Sequence, residues 1–142
     1  PQRLRQMLQV NVVAPAALNA VVARFLGPGS SILYVGSTLA EKAVPGVASY
    51  VTSKHAVVGL MRSTCQDLAG QPVHTACICP GFVDTPMLRG REGNADLSGY
   101  AALTAYGRVV SPEEIAELLW QAANAPALHG AVIHAHYGQL ER

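Results

Sequence analysis

Tyr50 and Lys54 stand four residues apart in the run Tyr50-Val51-Thr52-Ser53-Lys54. On a helix that spacing puts both side chains on one face. A free tyrosine titrates at about 10 and is a poor base at neutral pH. A nearby ammonium favours the phenolate and lowers that value. The pair is therefore a workable proton-transfer unit. Lysine is scarce in the chain, with Lys42 and Lys54 alone. The same spacing also arises on helices that do no chemistry, so the pair needs a third group. Ser37, thirteen residues before Tyr50, follows a short apolar run and can supply it. Its hydroxyl can donate to a substrate oxygen and hold it against the phenol. A turn or cap serine is the plainer role at that position.

The elements that must position these groups alternate along the chain. Gln2 to Phe25 reads as a helix, with Leu4, Met7, Leu8, Val12, Ala16 and Ala20 recurring near the 3.6-residue period. Pro15 should bend that helix or be absorbed locally, and Gly27-Pro28-Gly29 ends it. Ser31 to Gly36 reads as a buried strand. Ser49 to Ala69 reads as a helix stopped by Gly70 and Pro72, and Val73 to Cys79 as a second buried strand ended by Pro80-Gly81. The stretch Phe82 to Gly107 reads as a long irregular loop. Ser111 then caps a helix, with Pro112 at its first position and Glu113 and Glu114 in its first turn, running to about Asn124. Ala131 to Ala135 is a third strand. This order predicts an α/β fold with a doubly wound parallel sheet, residues 1–142 forming one domain. Such sheets bind ligands beyond the carboxyl ends of their strands. Gly36-Ser37 and Pro80-Gly81 fall there.

Composition excludes several classes. The chain has 142 residues, half of them apolar and only 13% charged. Disordered segments show the opposite pattern. A net charge of +1 with no charge block predicts no nucleic-acid surface. Three cysteines, Cys65, Cys77 and Cys79, make no disulfide framework and read as small side chains in a reduced compartment, hence a cytoplasmic location. His134 and His136 alternate without a second ligand cluster, so no metal site is expected. Gln6 to Ala23 is uncharged but holds Gln6, Gln9, Asn11, Pro15 and Asn19, too many polar groups and breakers for a lipid-facing helix. No membrane partner is expected, and the surplus of apolar surface calls for a protein face to cover it.

These residues resemble the short-chain dehydrogenase/reductase family. The resemblance rests on Ser37, on Tyr50-Val51-Thr52-Ser53-Lys54, on Pro80-Gly81-Phe82-Val83-Asp84-Thr85, and on Asn11 in Gln9-Val10-Asn11-Val12. It covers essentially the whole chain and about the C-terminal half of the family's fold, a Rossmann-like sheet. The resemblance implies that Tyr50 is the general acid/base and that Ser37 orients the substrate oxygen. It implies that Lys54 lowers the tyrosine pKa and holds the nicotinamide ribose of NAD or NADP. Asn11 would interrupt the first helix and help hold a water relaying protons through Lys54. Pro80, Gly81 and Val83 would border the nicotinamide, with the Val83 backbone on its carboxamide, and Thr85 would bond the carboxamide or a phosphate. Hydride transfer is the cofactor's chemistry.

The family's glycine-rich turn, its residue choosing NAD or NADP, and its Asn-Ala-Gly segment have no counterpart here. They are expected upstream of Pro1, so the chain reads as part of a larger dehydrogenase and is expected to be inactive by itself. Where the family usually has Val-Asp-Gly-Gly, this chain has Ala135-His136-Tyr137-Gly138. Residues 86–107 form the substrate-loop region, with Met87, Leu88, Leu97, Tyr100, Leu103 and Tyr106 suiting an apolar carbonyl or secondary alcohol. Arg89 and Arg91 read as solvated loop cations, with contact to an anionic carrier or acyl group as the sharper alternative. The small-residue helices before Phe25 and before Ala69 are expected to pack across a two-fold axis, giving a homodimer or homotetramer. An NAD-using epimerase or dehydratase, and an inactive oligomerisation module, are the competing readings.

Overall fold

A computed structural model describes residues 1–90 and 92–140. Three parallel strands, β1 (Ser30–Val35), β2 (Val73–Pro80) and β3 (Val132–Ala135), lie in the order β1-β2-β3. Tyr34 stands opposite Cys77, and Cys79 opposite His134. All eight residues of central β2 are buried, which explains its near-continuous apolar sequence.

Alternation along β2 splits the core into two layers. Cys77 and Cys79 face the long helix α3 (Ala48–Asp67), packing with Tyr34, Val57, Val58 and Met61. Ile78 faces the opposite side, where Ile115 and Ala122 of α6 (Pro112–Ala123) pack with Ala135. Helices thus cover both faces, as the doubly wound reading requires. The capping box forms as the sequence suggests: Ser111 Oγ accepts from the Glu114 N–H, while the Glu114 carboxylate accepts from the Ser111 N–H at 2.8 Å.

The first helix is not one regular α-helix. It comprises α1 (Gln2–Leu8), a π-turn at Gln9–Val13, α2 (Ala14–Val22) and a final 3₁₀ turn at Ala23–Phe25. Pro15 is the cause. It has no N–H to give the carbonyl of Asn11 one turn back, and the chain adjusts by a wider turn in which the Ala14 N–H reaches the Gln9 carbonyl. Asn11 sits in that turn.

The stretch after β2 is more ordered than its glycine-rich sequence predicts. It holds two short helices, α4 (Pro86–Arg89) and α5 (Ser98–Ala101). Phe82 packs on Tyr100 with ring centroids 4.9 Å apart, and Tyr106 stacks on Tyr137 at 4.7 Å. After β3 the chain turns back along this region, with Thr104 and Gln139 paired antiparallel.

Candidate active site

β1 ends at Val35, and the next residues, Gly36 and Ser37, pass over the two thiols of β2. A Cβ on Gly36 would stand 2.6 Å from Cys79 Sγ and 2.9 Å from Cys77 Sγ, so only glycine fits. Ser37 is nearly buried and caps the 3₁₀ turn Thr38–Ala40. Its Oγ accepts from the Leu39 N–H at 3.1 Å. That acceptor role leaves the hydroxyl proton free to point elsewhere. A pair between His134 and Glu41 at 2.9 Å ties the following residues to β3.

α3 carries Tyr50 in its first turn and Lys54 one turn later. Lys54 Nζ donates to the Val35 carbonyl at 2.9 Å and lies 5.6 Å from the centroid of the Tyr50 ring. The end of β1 therefore aims the ammonium beside the phenol. Burial lowers the Lys54 pKa from its ordinary value, while Cys77 and Cys79 oppose that shift. Between them in sequence, buried Ser53 accepts from the Asn11 amide at 3.0 Å and donates to the Tyr50 carbonyl at 2.8 Å. Asn11 thus braces the catalytic-type run through Ser53. Its side-chain amide is engaged there, and its backbone carbonyl is the group whose usual donor one turn on is replaced by Pro15.

β2 ends in Pro80-Gly81, and the chain then bridges to Val110. The Asp84 N–H donates to the Val110 carbonyl and the Val110 N–H to the Phe82 carbonyl, each at 2.9 Å. Val83 gives neither its N–H nor its carbonyl to that bridge. The Thr85 hydroxyl donates back to the Val83 carbonyl at 3.3 Å. Gly81 has no room for a side chain, since a Cβ would lie 2.6 Å from that of His136.

A cavity of about 550 Å³ joins these groups at the carboxyl end of the sheet. Ser37, Tyr50, Lys54, Pro80, Gly81, Val83 and Thr85 all line it. Asn11 does not line that cavity; it stands behind the Tyr50–Lys54 face, in an adjoining groove with Met7 and Met87. Met87 and Leu88 of the substrate-loop region reach the main cavity, whereas Leu97, Tyr100, Leu103 and Tyr106 do not. Arg89 is held by Asp84 in a bidentate pair, with Nη2 2.6 Å from Oδ2. Arg91 lies outside the described residues. Sequence reasoning missed Gln139 and Phe82 in the wall. Gln139 has no local signal, because it reaches the cavity only through the turn after β3.

A single parallel sheet between two helix layers, with a cavity at its strand ends, defines a doubly wound α/β fold, the class whose ligands bind across those ends. The family profile described as Enoyl-(Acyl carrier protein) reductase matches residues 1–139. The 1-deoxy-11-beta-hydroxypentalenate dehydrogenase of Streptomyces exfoliatus is 35% identical over 124 residues, covering 85% of this chain and 42% of that protein. The solved short-chain dehydrogenase/reductase from Serratia marcescens BCRC 10948 superposes with a TM-score of 0.83 at 34% identity, over 95% of this chain and 56% of that one. The structure of BdcA in complex with NADPH superposes with a TM-score of 0.82 at 27% identity, over 98% of this chain and 58% of that one. The chain belongs to the short-chain dehydrogenase/reductase family. It spans less than half the length of curated relatives such as the Streptomyces enzyme.

Proposed function

We propose that this chain carries the catalytic half of an oxidoreductase interconverting a secondary alcohol and a carbonyl, with NAD or NADP as hydride carrier. The observation supporting it is the single cavity lined by Ser37, Tyr50, Lys54 and the Pro80–Thr85 wall.

Ser37 donates to the substrate oxygen, since its bond from the Leu39 N–H engages the hydroxyl only as an acceptor and leaves its proton free. Tyr50 gives that oxygen a proton in reduction and takes it back in oxidation. Lys54 stabilises the phenolate form, and its partial burial keeps the charge from being damped by water. Asn11, through Ser53, holds the first turn of α3 in place beneath Tyr50.

The residues present fit the nicotinamide end of a dinucleotide. Gly81 leaves a flat wall, and the Val83 N–H is directed away from its bridge with Val110, available to a carboxamide. Thr85 stands beside it. When bound there, the nicotinamide supplies or accepts the hydride. BdcA, bound to NADPH, supports a nicotinamide cofactor without choosing NAD or NADP for this chain.

The substrate reading is a small carbonyl or alcohol with apolar flanks, since Val44, Phe82, Met87 and Leu88 share the wall. Val10, Val13, Leu18, Val21 and Phe25 stay exposed on α2, on the π-turn before it and on the 3₁₀ turn after it. The Gln2–Phe25 stretch, with a mean hydropathy of 1.3 in its most apolar window, is long and apolar enough to cross a membrane by length and composition. Asn11 and Asn19 instead bond it sideways to Ser53, Tyr34 and Thr64. We read its outer face as covered by a second copy in a cytoplasmic homo-oligomer. Loss of NADH or NADPH absorbance on addition of small ketones tests the activity. No oxidation of either cofactor across aliphatic, cyclic and aromatic ketones would sink the reading.

A further inference from the structure

Gln139 carries, in its Oε1, the one fully buried side-chain polar atom left without a hydrogen-bond partner among the described residues. Its backbone is fixed: the Gln139 N–H donates to His136 Nδ1 at 2.9 Å, the Ala105 N–H to the Gly138 carbonyl at 2.8 Å, and the Leu140 N–H to the Leu103 carbonyl at 2.8 Å. That anchoring on both sides delivers the side chain to the cavity. There the amide oxygen lies against Gly81, 3.7 Å from where a Cβ on that glycine would be. It is closed to solvent and has no hydrogen-bond donor among the described residues.

A buried acceptor without a donor is costly, because the water it gave up is not replaced. Natural sequences tolerate that cost where a ligand relieves it. The last torsion of a glutamine is soft, so the carbonyl can turn from Gly81 into the cavity without moving the backbone. The order of the sheet fixes where it would act. Ser37 follows β1, Gly81 follows β2, and Gln139 follows β3, so Gly81 separates Gln139 from the proton-transfer groups. A group bonded to Gln139 is therefore remote from the reacting carbon. Val83 and Thr85, the groups suited to a carboxamide, lie on the chain leaving β2 instead.

We propose that Gln139 is a specificity-determining residue that accepts a hydrogen bond from a hydroxyl or N–H of the substrate, on an atom other than the reacting one. The substrate class is thus a hydroxylated or amide-bearing ketone, not a plain hydrocarbon ketone. This rests on the oxidoreductase reading and narrows its substrate.

The test compares kcat/KM for matched ketones with and without a remote hydroxyl, such as 4-hydroxycyclohexanone and cyclohexanone, in the full-length protein. The wild type should prefer the hydroxyketone, and Gln139→Leu should lower that preference, the ratio of the two kcat/KM values, by about tenfold to a hundredfold. Gln139→Glu, which keeps an acceptor, should retain the preference and serves if the leucine variant folds poorly. Equal loss on both ketones, or a preference that survives in Gln139→Leu, overturns the proposal. So does a loss in Gln139→Leu that appears with NADH but vanishes with its 3-acetylpyridine analogue, because the donor is then the cofactor carboxamide. Wild type that turns over neither ketone nor any other overturns the oxidoreductase reading itself.

Discussion

Gly36 lies directly over Cys79, with 2.6 Å between the thiol sulfur and the position a Cβ would take. Both thiols beneath it are fully buried, and their sulfurs are 3.8 Å apart. The hydrogen bond to Cys79 and burial push the Cys77 thiol up, so it remains a neutral, small packing group. The Gly36 N–H also donates to the Ile78 carbonyl at 2.7 Å, which pins the backbone against β2. Ser37 and the Val35 carbonyl that holds Lys54 flank this contact. The packing of glycine on sulfur therefore sets the height of the site above the sheet.

Gly36→Ala should accordingly cost about 1–3 kcal/mol, the usual penalty of overpacking a filled core. Urea unfolding of the purified protein measures it. Cys79→Ala added to Gly36→Ala should recover part of the loss, because it removes the nearer clash. Strictly additive effects of the two substitutions would show that the contact does not set the backbone.

Tyr50→Phe removes the proton donor and leaves the ring in the cavity wall. Turnover should fall about 10²- to 10⁴-fold, the range for losing a general acid/base. No hydrogen bond to the Tyr50 hydroxyl is found among the described residues, so the melting temperature should hardly move. Quenching of protein fluorescence by NADPH should persist. Wild-type turnover by this variant would remove Tyr50 from the chemistry.

Spacing made part of this site legible. Tyr50 and Lys54 declare a shared helix face by their four-residue separation, and Ser37 is placed by the strand before it. Ser111, Pro112 and Glu114 likewise spell out the start of α6 within four residues. Contacts made across long separations left no such trace. Asn19 bonds Tyr34 and Thr64, and Tyr34 is 2.8 Å from Thr64, joining α2, β1 and α3 through residues that look unremarkable one by one. Gln139 reaches the cavity only because residues 103–106 fix the returning chain. Pro15 announced a disturbance of the first helix but not its form as a π-turn. In residues 82–107 the four glycines outweighed Pro86, which in fact opens α4.

Lys54 ties stability to alkaline pH. Its pKa in the folded protein lies below the ordinary lysine value of 10.5 because burial penalises the ammonium. The folded state thus holds fewer protons than the unfolded state between that lowered value and 10.5. Stability should therefore rise with pH through this window, as the penalty on the charged form is relieved. Lys54→Met should remove this contribution, so the difference in stability between wild type and variant should change with pH there and be constant near neutrality. Denaturant titrations at a series of alkaline pH values read that difference. A difference independent of pH would mean that Lys54 titrates as in an open chain.

Glu114 gives stability the same slope at acid pH, here because the fold favours its charged form. Its carboxylate accepts from Arg108 Nη2 at 2.7 Å, from the Ser111 N–H and from the Tyr137 hydroxyl. Arg108, foremost, and then Tyr137 hold its pKa well below the usual carboxylate range. Tyr137 needs these partners, because its backbone has φ 53°, a conformation that glycine adopts more easily. Arg108 lies 4.5 Å over the Tyr137 ring, so the cluster clamps the chain after β3 to the start of α6. A lowered carboxylate pKa stabilises the fold above the unfolded value of 4.5 and loses that contribution as pH falls through the folded one. Glu114→Gln keeps an acceptor for the Ser111 N–H and discards the charge. It should unfold at a higher acid pH midpoint than the wild type and lose stability less steeply below about pH 4.5, where Asp84 and Asp96 still titrate in both proteins. The partly exposed setting also makes the wild-type advantage at neutral pH shrink in high salt. Circular dichroism across acid titrations at low and high ionic strength measures both effects, and identical acid limbs for the two proteins would show that Glu114 adds no charge-dependent stability.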